Sequence, residues 1–241
     1  MTKNPSATIL LPTFNEAENI VPLIKALLEV LPTSVTLFVV DDNSPDGTAL
    51  RVETSIHKTK TKRVKILVRK KNPGLTNSLR DGISKVKTDA IGWMDCDFSH
   101  PPEAMATVYE AFIKGYDIVV ASRFLHGGKQ KSGESFVGSL FSNTLNRLCQ
   151  LFFGSDVTDY TSGFLIAKRT ILEKIPLRGD YGEYCIDLLV RIKQHGGKIH
   201  EIPFESVPRR AGLSKTAPNF GVLLKRSVGY AAMFFRLLKK G

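Results

Sequence analysis

The feature that most constrains this chain is an alternation, across its first half, of short apolar runs with amphipathic stretches. Apolar runs lie at Thr8–Leu11, Val35–Val40, Val64–Val68, Ala90–Met94 and Asp117–Ala121. They are short, nearly continuous and rich in β-branched residues, as strands covered on both faces are. The stretches near Glu16–Leu31, Thr48–His57, Leu75–Lys85 and Pro102–Lys114 carry apolar residues at helical spacing instead. Strand–helix alternation at this interval predicts an α/β fold, with a mainly parallel sheet and helices on both faces. With 241 residues, the chain is long enough for one such domain, or one domain with a tail, held by its own core without disulfide or zinc.

Open sheets of this kind collect function at the carboxyl ends of their strands. After the first strand comes Pro12-Thr13-Phe14-Asn15-Glu16, and after the second Asp41-Asp42-Asn43-Ser44-Pro45-Asp46-Gly47. Asp95-Cys96-Asp97-Phe98-Ser99-His100 follows the fourth, and Ser122-Arg123 the fifth. Strand ends this rich in carboxylate, hydroxyl and guanidinium groups predict one shared site. Two common nucleotide signatures are missing. No Gly-x-Gly-x-x-Gly follows the first strand, and no glycine-rich phosphate loop ends in Gly-Lys-Ser/Thr.

Lys and Arg number 34 against 23 Asp and Glu, a net charge of +11. Such an excess suits anionic partners: nucleic acid, an anionic membrane or phosphorylated substrates. No aromatic platform or known reading motif interleaves the basic residues, so nucleic acid is not an expected partner. The cysteines, Cys96, Cys149 and Cys185, have no zinc-like spacing and fit a reduced compartment. Cys96 reads as a small core residue, its side chain pointing away from those of the flanking aspartates. No signal peptide and no apolar run long enough for a standard transmembrane helix is visible.

Asp95 and Asp97 are two carboxylates one residue apart just beyond a strand. They suit Mg²⁺ or Mn²⁺, which takes oxygen ligands and leaves positions for substrate phosphates. A solvated turn is the alternative. Asp41 and Asp42 have acceptors for a base edge or ribose hydroxyl, though Asn43 to Gly47 is also strong turn chemistry. Arg123, with Lys129 and Lys131 in a loop from Leu125 to Glu134, either meets phosphate oxygens or forms an exposed basic loop. The basic run Lys58, Lys60, Lys62, Arg63, Lys65, Arg69, Lys70 and Lys71 reads as a solvated surface.

Taken together, these stretches resemble the family-2 inverting glycosyltransferases, and most closely the dolichol-phosphate (polyprenol-phosphate) mannose synthases. The matching residues are Leu11 to Glu16, Val40 to Thr48, Met94 to Glu103, Asp159 to Phe164, and the spacing of Arg209, Gly212, Ser214 and Lys215. The resemblance implies a GT-A nucleotide-sugar fold over residues 1–215. It implies nucleotide binding by Pro12, Phe14, Glu16, Val40, Asp42 and Asp95. A metal, Mg²⁺ or Mn²⁺, would be held by Asp95, Asp97 and Ser99. Catalysis would rest on Asp95, Asp97 and Arg123, and phosphate or acceptor contacts on Arg123, Lys131, Arg209, Ser214 and Lys215. Two positions depart from the pattern. Relatives often carry Gln where Ser99 stands, and an arginine pair that residues 136–141 lack, leaving Lys131 or Arg147 to substitute.

The implied reaction moves mannose from GDP-mannose to dolichyl or polyprenyl phosphate with inversion. The alternatives are a UDP-sugar donor such as UDP-glucose, or a saccharide hydroxyl as acceptor. A phosphate acceptor needs little base activation, its second pKa being about 6. A hydroxyl needs a base, and Asp187 stands where relatives have an acidic residue. The tail, residues 216–241, is expected to be basic and amphipathic. On a helical wheel Lys225, Arg226, Arg236, Lys239 and Lys240 gather on one side. Phe220, Leu223, Leu224, Tyr230, Phe234, Phe235, Leu237 and Leu238 gather on the other, with Val222 and Met233 out of pattern and Gly229 a candidate break. Such a helix fits an anionic membrane surface, placing the protein peripherally on a cytoplasmic face. The alternatives are a helix docked on the domain, or a stub whose transmembrane segment or membrane-anchoring subunit is separate.

Overall fold

The structure, a computed structural model, describes residues 4–130, 136–211 and 220–239, with side chains described except at 130, 136–139 and 220–226. In chain order the elements are β1 (Ala7–Thr13), α1 (Ile20–Val30), β2 (Val35–Asp41), α2 (Thr48–Thr59), β3 (Val64–Val68), α3 (Leu75–Lys85), β4 (Ala90–Trp93), α4 (Pro102–Phe112), β5 (Ile118–Ser122), β6 (Lys129–Gln130), α5 (Phe136–Phe153), β7 (Leu165–Lys168), α6 (Arg169–Lys174), α7 (Glu183–Gln194), β8 (Ile199–Pro203), β9 (Glu205–Ser206) and α8 (Phe220–Leu238). The alternating pattern of the first half folds as read, with boundaries shifted by a few residues.

Seven strands form one sheet in the order β3-β2-β1-β4-β7-β5-β8, and β6 pairs with β9 apart from it. All main-sheet pairings are parallel except those of β7, which runs antiparallel to β4 and β5. The chain winds outward from β1 through β2 to β3, then crosses to β4 on the other side of β1. That reversal opens a crevice at the carboxyl ends of β1 and β4, where ligands of open sheets bind.

Side-chain alternation explains why these strands read as apolar throughout. On β1, Ile9 and Leu11 join one core with Ile20, Leu23 and Leu27 of α1 and Met105, Val108 and Phe112 of α4. Leu10, pointing the other way, joins a second core with Leu79 of α3, Ile91 and Trp93 of β4 and Ile186 and Leu189 of α7. Gly92 lets β4 and β7 approach: a Cβ there would lie 2.8 Å from the Leu165 carbonyl oxygen and 3.0 Å from Ile9 Cδ1.

The basic run around β3 is only partly a solvated surface. Lys58, Lys60, Lys62, Lys65, Lys70 and Lys71 are exposed. Arg63 instead donates to the carbonyls of Leu28, Leu31, Pro32 and Val35, satisfying the carboxyl end of α1. Arg69 is buried. All three cysteines are buried thiols, and Cys96 Sγ faces the Pro12 carbonyl at 3.4 Å.

The tail helix departs from its wheel. α8 runs unbroken through Gly229, because packing on the domain offsets the roughly 1 kcal/mol cost of glycine in a helix. Met233 and Leu237 are buried in the second core. Phe234 packs against the Phe152 and Phe153 rings, and Tyr230 against Phe141. Arg236 Nη2 reaches Asp187 Oδ1 at 3.0 Å. Part of the apolar side expected to face a membrane is therefore core. The expected division after residue 215 lies outside the described residues.

Candidate active site

The loops after β1 and β2 are stitched together by their own polar side chains. Asp41, fully buried, accepts hydrogen bonds from Thr13 Oγ1 at 2.9 Å and from the Ser44 amide and hydroxyl at 2.8 and 2.6 Å. In return Ser44 Oγ, Thr48 Oγ1 and Asp46 Oδ2 accept from the amides of Asn15, Glu16 and Ala17 at 2.9, 3.0 and 3.0 Å. Burial works to raise the Asp46 pKa, but the hydrogen bonds from Thr48 and Ala17 outweigh it and hold the carboxyl low. Asn15 and Asn43 take left-handed backbone, φ 55° and 53°, which asparagine tolerates. The turn chemistry thus fixes Pro12, Phe14 and Glu16 at the crevice, with Phe14 45% exposed. Val40 is buried in β2.

Asp42 is not an open carboxylate. Its Oδ1 accepts from Arg69 Nη1 and, at 2.8 Å, from Ser78 Oγ; its Oδ2 accepts from the Gly74 amide at 2.7 Å. It therefore sits at the amino end of α3, where a negative charge is favoured.

The loop after β4 carries the acidic pair. Phe98 between Asp97 and Ser99 has φ 68°, a costly conformation for a bulky side chain. It brings the Ser99 amide to Asp97 Oδ1 at 3.0 Å. Asp97 Oδ2 lies 3.2 Å from Arg209 Nη1. Desolvation works to raise the Asp97 pKa; the Ser99 hydrogen bonds and then Arg209 overcome it, leaving the pKa lowered. Asp95, with its side chain 56% exposed, is pushed the other way. Partial desolvation by the cleft walls and the charge of Asp97 raise it, against the opposing pull of His100 and Arg209.

His100 belongs to this site and was legible only as part of a run. The Asp95 amide donates to its Nδ1 at 3.0 Å, so the neutral ring carries its proton on Nε2, 3.9 Å from Asp95 Oδ2. The ring stacks on Phe164 at 4.5 Å and meets Phe204 edge-on at 5.5 Å. Burial lowers its pKa despite Asp95 and Asp97, so it is neutral near pH 7.

Arg123 comes to the same end of the sheet, but protein acceptors hold it. Nε and Nη2 pair with Asp159 Oδ2 and Oδ1 at 2.8 and 3.0 Å, and Nη2 also reaches Thr161 Oγ1 at 2.8 Å. Asp159 is buried; desolvation works to raise its pKa, and Arg123 and then Thr161 outweigh it. The bidentate pair joins the end of β5 to the turn at 159–161. A phosphate contact by Arg123 would be made by a guanidinium already anchored on two nitrogens.

The segment after β9 completes the crevice. The Val207 amide donates to Ser99 O and the Arg210 amide to Asp97 O, at 3.2 and 2.9 Å, and Asn19 Nδ2 reaches Ala211 O at 3.2 Å. A distant stretch of chain thereby delivers Arg209 to Asp97. Lys131, Ser214 and Lys215 lie outside the described residues. Asp187 is enclosed, with no exposed side-chain surface, between Arg191 at 2.5 Å and Arg236 at 3.0 Å. These pairs join it to α7 and α8.

The donor set fits a hard divalent cation. Among the described residues no three His, Cys, Asp or Glu side chains converge as a complete metal cage. Two carboxylates, one largely open, with a hydroxyl nearby are what Mg²⁺ or Mn²⁺ uses when substrate phosphates and water fill the remaining positions.

A sequence model described as glycosyl transferase family 2 matches residues 8–176. A polyprenol monophosphomannose synthase from Mycolicibacterium smegmatis is 32% identical over 214 residues, covering 86% of this chain and 79% of that protein. An undecaprenyl-phosphate mannosyltransferase from Micrococcus luteus is 31% identical over 220 residues, covering 86% and 85%. A dolichol-phosphate mannosyltransferase from Pyrococcus furiosus is 29% identical; the match covers 86% of this chain and 58% of that one. Among solved structures, glucosyl-3-phosphoglycerate synthase from Mycobacterium tuberculosis in complex with Mn²⁺, UDP and glucosyl-3-phosphoglycerate superposes with a TM-score of 0.75 at 18% identity, covering 98% of this chain and 80% of that one. The same enzyme with Mg²⁺ and UDP gives 0.74 at 17% identity. The architecture is the GT-A fold.

Proposed function

We propose that this chain, which belongs to glycosyl transferase family 2, transfers mannose from GDP-mannose to a polyprenyl or dolichyl phosphate with inversion at the anomeric carbon. That it is a glycosyltransferase follows from the family; donor, acceptor and metal are the proposal. The observation that carries it is the meeting of Asp97 and Arg209 at the crevice between β1 and β4, 3.2 Å apart. Acidic and basic groups side by side suit a ligand that brings both a cation and phosphates. The names of the relatives support mannose and a polyprenyl phosphate.

In this reading Pro12, Phe14, Glu16 and Asp42 hold the nucleoside. Asp95 and Asp97, with Ser99, hold Mg²⁺ or Mn²⁺, which when bound neutralises charge on the leaving diphosphate. Arg209 contributes positive charge at the same place, and Arg123, braced by Asp159, faces phosphate from the β5 side. Lys131, Ser214 and Lys215 are assigned to acceptor contacts by family pattern alone. An acceptor phosphate oxygen forms the bond to the anomeric carbon as the bond to the diphosphate oxygen breaks. Its proton is already lost near neutral pH, so the protein contributes mainly position and charge. The enclosure of Asp187 favours such an acceptor over a saccharide hydroxyl.

Membrane contact is part of the proposal. No helix of the described residues is long and apolar enough to cross a membrane. The outer sides of α5 and α8 expose Leu140, Leu148, Leu151 and Phe152, and Val228, Phe235 and Leu238. These apolar residues, with Arg147 and Lys239 exposed beside them, suit the interface of an anionic bilayer on its cytoplasmic face. A separate anchoring subunit or segment is compatible with that arrangement.

The test is transfer of labelled sugar from a panel of nucleotide sugars to polyprenyl phosphate, with and without Mg²⁺ or Mn²⁺. Metal-dependent labelling of the lipid from GDP-mannose is expected. Labelling from a UDP-sugar instead would overturn the mannose assignment. Nucleotide binding with no lipid product from any donor would overturn the acceptor.

A further inference from the structure

Arg69 comes from the run that read as surface, yet its side chain is only 4% exposed. It sits just beyond β3, where its amide donates to the Asp41 carbonyl at 2.7 Å. Every nitrogen of its guanidinium has an acceptor. Nε pairs with Asp81 at 2.7 Å, Nη1 with Asp42 and with Ser78 Oγ at 2.9 Å, and Nη2 with the Asn72 carbonyl at 2.9 Å. Nothing in this arrangement offers Arg69 to a ligand. It is spent on holding Asp42.

The consequence lies in the acceptor count. A carboxylate offers about four lone-pair positions. On Asp42, Arg69 and Ser78 take two at Oδ1, and the Gly74 amide takes one at Oδ2. One position on Oδ2 remains, on a side chain that is itself 7% exposed. The residues that fill the others come from the end of β3 and the first turn of α3, so they also fix where that position points.

We propose that Arg69 and Ser78 are positioning residues for the nucleoside: they hold Asp42 so that it presents one acceptor to the base or ribose of the donor. This inference rests on the reading of Asp42 as a nucleoside ligand. Arg69 holds Asp42 by a fork that lysine, a point charge, cannot reproduce. Loosening the clamp lets the carboxylate turn and misdirect that acceptor. The diphosphate half of the donor, held at the Asp95–Asp97 loop, is not touched by these residues.

The experiment is calorimetric binding of GDP, UDP and pyrophosphate, each with Mg²⁺, to the full chain and its Arg69→Lys and Ser78→Ala variants, with Tm measured in parallel. The expected result is that Kd for GDP and UDP rises about tenfold in Arg69→Lys and about threefold in Ser78→Ala, while Kd for pyrophosphate stays within about twofold. With a competent donor, KM rises and kcat is held. A parallel loss of pyrophosphate binding, or unchanged nucleotide binding in both variants, overturns the proposal. Should Arg69→Lys fail to fold, Ser78→Ala, which removes a single hydroxyl, decides it alone. The readout is separate from transfer: loss of the mannosyl reaction with the nucleotide-selective defect intact would overturn the proposed reaction and leave this inference standing.

Discussion

Neighbouring carboxylates in this chain are separated in role by a few ångströms of packing. Asp41 organises a turn, Asp42 is clamped at a helix end, and Asp97 faces Arg209. Replacing Asp97 with asparagine keeps the shape and removes the charge, so transfer is expected to fall at least about a hundredfold, a loss of roughly 3 kcal/mol. Steady-state transfer at saturating metal measures it, and full activity would remove the metal role. Asp159 makes a different prediction. Its folded pKa lies below the unfolded value, so its pairing with Arg123 stabilises the protein above about pH 4. That contribution is lost as pH falls through the folded pKa. Asp159→Asn is expected to cost about 3–5 kcal/mol at pH 7, since it leaves Arg123 without its charge partner. Urea titrations from pH 7 to pH 3 would show the variant losing less further stability to acid than the wild type. The acidic and hydroxyl motifs were visible in the sequence as clusters. Which members face a ligand and which hold a turn was not, because adjacent residues of like chemistry differ only in the partners that folding brings to them.

At the scale of elements, helix α8 shows what periodicity leaves open. Its wheel does not say which side meets protein: Met233 and Leu237 are buried and Arg236 pairs with the enclosed Asp187, while Phe235 and Leu238 are exposed. Gly182, at the start of α7, lies close against α8. A Cβ there would lie 2.5 Å from the Tyr230 hydroxyl oxygen, with the next ring atom at 3.7 Å. Gly182 has ordinary helical backbone, φ −62°, so alanine introduces no backbone strain. Gly182→Ala is expected to destabilise by about 1–3 kcal/mol through overpacking. Adding Tyr230→Phe removes the clashing oxygen and should recover part of the loss. A double-mutant cycle by thermal or urea unfolding checks it, and additive losses would disprove the contact. The elements of the second half, α5 to β9, carry a weaker local signal. There the antiparallel β7 interrupts the strand–helix rhythm, and the two-residue strands β6 and β9 carry no periodicity.

At the scale of the whole molecule, the proposed lipid acceptor requires a basic domain to reach a membrane surface. Deleting residues from 219 onward is a poor probe, because Met233 and Leu237 would leave the second core exposed. The outward residues are better targets. Leu151→Glu and Phe235→Glu together place charge on side chains that are 76% and 66% exposed. Binding to anionic liposomes is expected to fall at least about tenfold with Tm shifted by no more than a few degrees, and the wild-type binding to weaken with salt. Unchanged co-sedimentation would remove this face as the membrane contact. By itself the sequence determined the layered sheet of the first half and the gathering of polar groups at its strand ends, since period and composition are local properties. It also carried the resemblance to the family, which is written in ordered motifs. Only the tertiary structure decided that Arg209 meets Asp97, that Arg69 and Arg123 are held by protein carboxylates, and that α8 is partly core. Those outcomes depend on contacts between residues far apart in the chain, and no local pattern records which of several equally charged partners folding will bring together.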